Sequence, residues 1–386
     1  MNIDIENLIL SGGSVKGYSY VGVFKALEEA NAKKNIKCIL GVSVGAIFAT
    51  LLNINYSSND LYNISMKLNF DNLNSITTDN FLSYFDKFGI ESGEKMMKVM
   101  EIIIKKKTQK SNITFLELFK LTKIKLIITS VCVNTKEYIY MDYINSPNEI
   151  VINAIRKSIG IPLVFTPFED NERFYVDGGL INNYPIHIFN KEREKTLGIL
   201  IYDENIVKED VKIDTFDEYF VSLIDCVYKE NLNKTLETHL DNTIILKSEI
   251  NFLNFFINDE QKNELVNLGY KNVKEYLIKK YKKRIFLVQD QINQIEKENI
   301  KLDLSKLEKF NINNFKTITK DSKIILEKIK SESSNKSESS NKSEIEVLEG
   351  FILDLENDYF TIMNKIFSFY KKSNLYHLGN NLYTFI

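Results

Sequence analysis

Short apolar runs bounded by glycine-rich turns set the rhythm of the first part of the chain. Residues 7–11 (Asn-Leu-Ile-Leu-Ser) predict a short buried strand. A Gly-rich turn follows at 12–17, and Val21, Phe24 and Leu27 then fall at helical spacing within 18–30. After a polar turn from Asn31 to Asn35, Lys37-Cys38-Ile39-Leu40 predicts a second strand. It leads at once into a Gly-bracketed turn and an apolar helix from Ala46 to Leu52. A strand–turn–helix unit repeated this closely points to an α/β sheet with parallel strands and crossover helices. Unalternated apolar character at 124–132, 196–202 and 243–246 predicts further strands covered on both faces. Residues 92–107 and 259–280 predict helices. The second has Asn258 as N-cap, Asp259 and Glu260 in its first turn and Gly269 as an interruption.

The texture changes after residue 284. Charged helical patterns run over 285–330, and Ser331 to Glu344 then reads SESSNKSESSNKSE without one apolar residue. Such a segment buries nothing to offset its ordering entropy, so it reads as a flexible linker. Beyond it, Leu348, Phe351, Ile352, Leu355, Tyr359, Ile362, Met363, Ile366, Phe367 and Tyr370 follow helical spacing, an amphipathic helix for the main body or for a membrane or partner. The expected organisation is therefore a domain over 1–284, a helical extension over 285–330, a linker over 331–344 and an amphipathic segment over 345–386.

Composition narrows the class. Among 386 residues, Lys+Arg 50 against Asp+Glu 52 leaves no global charge to attract nucleic acid, so no nucleic-acid partner is expected. A hydrophobic content of 44% with 26% charged residues excludes a wholly disordered chain and argues against many membrane spans. Cys38, Cys132 and Cys226 are too few and scattered for a disulfide framework or zinc site, and with only His187, His239 and His377 no metal or cofactor is expected. The polar start, Met1 to Asn7, has no signal-peptide pattern. The longest nearly apolar run, Ile39 to Leu52, falls short of the ~20 residues that span a bilayer. A cytosolic setting, with peripheral membrane contact, is the resulting expectation. Heavy use of Asn, Lys and Ile reflects coding from an AT-rich genome.

Three segments carry chemistry. Gly41-Val42-Ser43-Val44-Gly45 matches the G-x-S-x-G nucleophile elbow, with a strand before it and an apolar helix after it. Small residues must flank a serine on so sharp a turn, and the helix N-terminus behind it favours developing negative charge. A small-residue turn without catalysis has the same local pattern. Gly12-Gly13-Ser14-Val15-Lys16-Gly17 also lies between strand and helix. It fails the P-loop pattern because Tyr18 follows Gly17, and the dinucleotide fingerprint because Ser14 stands where a glycine is needed. An oxyanion hole fits better: backbone N–H groups of Gly12, Gly13 and Ser14, with Lys16 adding positive potential or standing as a solvated surface charge. Asp177-Gly178-Gly179, just after Phe174-Tyr175-Val176, presents a carboxylate at a strand end, as a general base for a serine or as a plain turn residue. A Ser–His–Asp triad through His187, His239 or His377 is the other way to activate Ser43.

Together these segments resemble the patatin-like phospholipase family. Leu8 to Gly17 looks like its Gly-rich oxyanion loop, Gly41 to Gly45 like its elbow and Asp177-Gly-Gly like its catalytic Asp motif. Ser158-Ile-Gly-Ile-Pro162 resembles its S-x-x-x-P block, and Thr114-Phe-Leu-Glu-Leu118 and Asn182-Asn-Tyr-Pro185 also look familiar from it. The likeness covers roughly residues 6–280. Ser14 departs from the family's third glycine and would be strained if that position needs positive φ. Similar Ser-containing loops suit members from large DNA viruses. The resemblance implies a three-layer α/β sandwich with a central, mostly parallel sheet flanked by helices. It implies a Ser43–Asp177 dyad without catalytic His or calcium, and hydrolysis of phospholipid or other acyl-ester lipids.

A lipid substrate asks for a membrane surface. Lys279, Lys280, Lys282, Lys283 and Arg284, and separately Lys105, Lys106 and Lys107, form basic clusters that either attract anionic headgroups or line solvated helix faces. The rival readings of the whole chain are a catalytically weakened lipid- or partner-binding protein of the same fold, and a soluble esterase or acyltransferase on the same dyad.

Overall fold

In a computed structural model, the described residues are 5–67, 84–203, 235–250 and 256–297, with scattered positions between 213 and 254. One unit spans Ile3–Tyr276 and the remainder of the chain forms a second. The linker over 331–344, the segment over 345–386 and His377 lie outside the described residues, as do the side chains of Lys282, Lys283 and Arg284.

The centre of the Ile3–Tyr276 unit is an eight-stranded mixed sheet. In chain order its strands are β1 (Asn7–Leu10), β2 (Cys38–Gly41), β4 (Lys125–Cys132), β5 (Glu137–Met141), β7 (Phe168–Asp170), β8 (Arg173–Asp177), β9 (Thr196–Asp203) and β10 (Thr243–Ser248), while β3 (Gly89–Glu91) and β6 (Leu163–Phe165) pair apart from it. The order across the sheet is β10-β9-β1-β2-β4-β8-β7, with β5 also on β4. The first five strands of that path run parallel, and β5, β7 and β8 enter by antiparallel pairing. Five parallel strands joined through helices make the expected α/β sandwich. Leu8, Ile9, Leu10, Ile39, Leu40, Ile127, Ile128, Leu197, Ile199 and Leu200 are all buried, as continuous apolar strands covered on both faces must be.

The predicted helices sit at α1 (Ser19–Glu29), α2 (Val44–Asn53), α4 (Glu94–Thr108) and the long helix Asp259–Lys297, with α3 (Ser58–Lys67) between the first pair and the second. Thr114 caps helix Phe115–Thr122 through a reciprocal capping box with Glu117. Asn258 caps as expected: its Oδ1 accepts the Gln261 N–H at 2.8 Å, and Gln261 Oε1 accepts the Asn258 N–H at 3.0 Å.

Gly269 does not interrupt the last helix, which continues unbroken through it. Its role is contact: a Cβ there would lie 2.9 Å from the Ser19 carbonyl carbon. Gly22 faces the crossing from α1, where a Cβ would lie 2.6 Å from the Tyr270 nitrogen. Two glycines thus let two backbones meet directly. A glycine inside an apolar periodicity carries either meaning, and only the neighbouring backbone decides between them.

Candidate active site

Strand register brings the three motifs to one level. Leu10 lies beside Gly41, and Gly41 beside Ile128. Two residues further along these parallel chains come Gly12, Ser43 and Ser130. Asp177 ends the antiparallel strand β8 and pairs with Ser130 itself. Strand β4 therefore separates the elbow from the Asp motif by one strand width, although the two are far apart in sequence.

The elbow is built as its glycines require. A Cβ on Gly41 would lie 2.5 Å from Ala46 Cα, and one on Gly45 would lie 2.6 Å from the Ser11 carbonyl oxygen. Ser43 takes φ 55° and ψ −127° at the N-cap of α2, a backbone conformation that costs an L residue free energy and persists only where the surroundings enforce it. One enforcing contact is Ser158, whose Oγ accepts the Ser43 N–H at 2.9 Å. Ser158 is completely buried at the end of helix Val151–Ser158.

The Ser43 hydroxyl lies near enough to the Asp177 carboxylate to favour its charged form. Burial pushes the Asp177 carboxyl up to about 7, against the opposing pull of that hydroxyl and of the Gly179 N–H. The Gly179 N–H reaches Asp177 Oδ1 at 2.7 Å. Ser130 holds the same strand from below, its hydroxyl donating to the Val176 carbonyl at 2.9 Å. The Tyr138 hydroxyl, held well above its ordinary range by desolvation, donates to the Asn182 carbonyl at 2.8 Å. These contacts fix Asp177 from both sides of its turn.

The Gly-rich loop arches over the elbow. A Cβ on Gly12 would sit 3.0 Å from Ser43 Cβ, and one on Gly17 would sit 3.1 Å from Val44 Cγ1. The Gly12 N–H, expected as a free donor, is instead taken by Asn183 Oδ1 at 3.0 Å, while Asn183 Nδ2 donates to the Gly12 carbonyl at 3.3 Å. Among the described residues the Gly13 and Ser14 N–H groups carry no such bond. Ser14 stands at φ 51°, the strained case foreseen for a serine in this place. Lys16 is not a solvated surface charge: only 2% of it is exposed, and the Ser19 hydroxyl donates to its carbonyl at 2.7 Å.

No histidine joins this pair among the described residues. His239 contacts Thr238 Oγ1 and Asn190 Oδ1, each at 2.7 Å, and His187 is exposed. Ser158, Asn183 and Ser130 carry roles that sequence reasoning did not assign. The first two lie inside quoted blocks, Ser158-Ile-Gly-Ile-Pro162 and Asn182-Asn-Tyr-Pro185. Nothing in the sequence distinguishes Ser130 from an ordinary strand serine.

The family model described as "Patatin-like phospholipase" matches residues 8–190, which contain all three motifs. The chain is 33% identical over 287 residues to "Uncharacterized protein R571" of Acanthamoeba polyphaga mimivirus, covering 71% of this chain and 94% of that one. It is 30% identical over 269 residues to "Probable lipid hydrolase 463L" of Invertebrate iridescent virus 6, covering 68% and 88%. The crystal structure of VipD from Legionella pneumophila superposes with a TM-score of 0.50 at 15% identity, over 96% of this chain and 88% of that one, a likeness of fold. On the matched motifs and the extent of the viral relatives, the chain belongs to the patatin-like phospholipase family.

Proposed function

We propose that this protein hydrolyses fatty-acyl esters of phospholipids, with Ser43 as nucleophile and Asp177 as its base. The approach of the Ser43 hydroxyl to a buried Asp177 carboxylate, close enough to favour its charged form, carries the reading. An Asp at the ordinary ~3.9 is a weak base, and one raised toward neutrality accepts a serine proton more readily.

In the first half-reaction Ser43 Oγ bonds to the acyl carbon while its proton passes to Asp177. The carbonyl π pair moves onto oxygen, and the Gly13 and Ser14 N–H groups stabilise that charge in a water-poor site. Lys16 adds positive potential from within the loop. Collapse of the intermediate restores the carbonyl and breaks the ester bond, and the departing alkoxide takes the proton back from Asp177. Water then attacks the acyl-Ser43 ester with Asp177 again as base, releasing the fatty acid.

The iridescent-virus relative bears the name of a probable lipid hydrolase, which supports a lipid substrate here. The test is fatty-acid release from phosphatidylcholine vesicles by the purified full chain, beside Ser43→Ala. Release by the parent and none by the variant is expected. Equal release by both contradicts the assignment, and binding without release by either favours a lipid-binding role.

A further inference from the structure

Ser158 and Gly160 hold the nucleophile and its base from one short stretch of chain. The Ser158 Oγ accepts the Ser43 N–H at 2.9 Å, and the Gly160 carbonyl accepts the Asp177 N–H, also at 2.9 Å. The spacing of those two backbones therefore depends on where the end of helix Val151–Ser158 sits.

Lys157 ties that end to its surroundings. Its side chain is only 3% exposed, and its ammonium donates to Glu149 Oε2 at 3.0 Å and to Asp170 Oδ2 at 2.7 Å. Glu149 lies just before the same helix, so the side chain leans back along the helix, as helical side chains do. Asp170 lies on β7. The ammonium also stands over the Tyr175 ring at 4.5 Å and the Phe168 ring at 5.7 Å from their centroids, within cation–π range. Phe168 and Tyr175 face each other across β7 and β8, and Asp177 ends β8. One cation thus joins the helix that holds Ser43 to the hairpin that carries Asp177.

Stability is a weak reason for this cluster. An enclosed ammonium gives up its hydration, and an apolar side chain of similar volume often stabilises such a place equally well. The charge adds direction: two carboxylates and two rings define one place for the ammonium, whereas an apolar contact tolerates sliding.

We propose that Lys157 is a positioning residue for ester hydrolysis, its ammonium locking the Ser158–Gly160 stretch onto the β7–β8 hairpin so that Ser43 and Asp177 stay aligned. This rests on the Ser43–Asp177 reading. Lys157 itself meets neither substrate nor the reacting atoms. Its loss misaligns nucleophile and base without touching substrate binding, so it falls on kcat and leaves KM nearly unchanged.

The test uses the full chain and two substitutions, alone and together. Lys157→Met keeps the side chain's length and its contact with the rings but removes the charge. Asp170→Asn removes one carboxylate at a partly exposed position and leaves Lys157 paired with Glu149. Steady-state kinetics on a soluble 4-nitrophenyl acyl ester is read beside Tm, with the parent and Ser43→Ala as references. We expect kcat in Lys157→Met to fall about 10- to 100-fold with KM within about twofold, and Asp170→Asn to lose less in the same way. The double variant should lose no more than Lys157→Met, because the tie is already gone. Parental kcat in a folded Lys157→Met overturns the proposal, as does a loss that falls on KM or a double variant whose losses multiply. Where Lys157→Met does not fold, Asp170→Asn decides, and parental kcat there overturns the proposal. If Ser43→Ala turns over the ester at the parental rate, the underlying dyad reading fails instead.

Discussion

The side-chain amide of Asn183 grips Gly12 by both of its main-chain groups, accepting its N–H at 3.0 Å and donating to its carbonyl at 3.3 Å. Gly12 stands against Ser43, and Asn183 follows six residues after Asp177. One amide therefore couples the loop at the end of β1 to the turn that carries the base. Replacing Asn183 by Ala frees the Gly12 N–H and loosens the loop. We expect a kcat drop of about 10- to 100-fold, in line with displacing a positioned donor, with a smaller change in Tm. Asn183→Asp keeps the acceptor and loses the donor, so it should lie between Ala and the parent. Steady-state kinetics on a soluble ester measures both.

Asp177 sets the pH dependence. Its base form is the active one, and its carboxyl sits at about 7, so kcat/KM should climb as pH rises through about 7 instead of levelling off near 4. A pH–rate profile already flat from pH 5 upward would contradict the assignment.

The same shift has a sign in stability. An unfolded Asp titrates near ~3.9, whereas Asp177 in the folded protein titrates at about 7. Between those values the folded state holds more of the proton than the unfolded one, so stability falls as pH rises across that window and levels off above it. Asp177→Asn removes the dependence. Its Tm should exceed the parent's at pH 8, and the gap should shrink toward pH 5. Thermal unfolding at the two pH values decides this, and a gap independent of pH would show that Asp177 is not the group involved.

Ser158 supplies the acceptor for the Ser43 N–H. Ser158→Ala leaves that buried donor without a partner, a loss of about 1–3 kcal/mol, and relaxes the elbow. Urea unfolding should report the destabilisation, and kcat should fall more than KM changes. Unchanged stability would mean that the elbow finds another acceptor.

The glycine crossing is a fold prediction independent of catalysis. A methyl group on Gly269 meets the Ser19 backbone, which is not a flexible side chain that can move aside. Gly269→Ala should cost at least about 1–3 kcal/mol by urea unfolding while leaving the KM of the surviving folded enzyme unchanged. A fully stable Gly269→Ala protein would show that the two helices do not meet as closely as described.

The strands and the tight turns of this fold were legible because both are local. An apolar run such as Leu8-Ile9-Leu10 has one stable destination, a strand covered on both faces, and the turn after it must be small wherever a helix doubles back. Gly41 and Gly45 carried their meaning openly, since their spacing around Ser43 reflects what a sharp elbow excludes. Roles that depend on a distant partner were not legible. Ser158 and Asn183 look like ordinary polar residues until register places them against Ser43 and Gly12. Lys16 reads equally well as exposed or buried, because a single Lys between small residues carries no periodicity. Gly269 was misread because helix propensity penalises glycine locally, while the crossing with Gly22 that explains it is tertiary.

The most direct test of the dyad is the rate at which an alkyl fluorophosphonate labels the intact protein, followed by mass spectrometry across pH 5 to 9. The account predicts one adduct on Ser43, a labelling rate that rises through about pH 7, no adduct in Ser43→Ala and a rate lowered by at least ~10³-fold in Asp177→Asn. Labelling at another residue, or at the parental rate in Asp177→Asn, would contradict it.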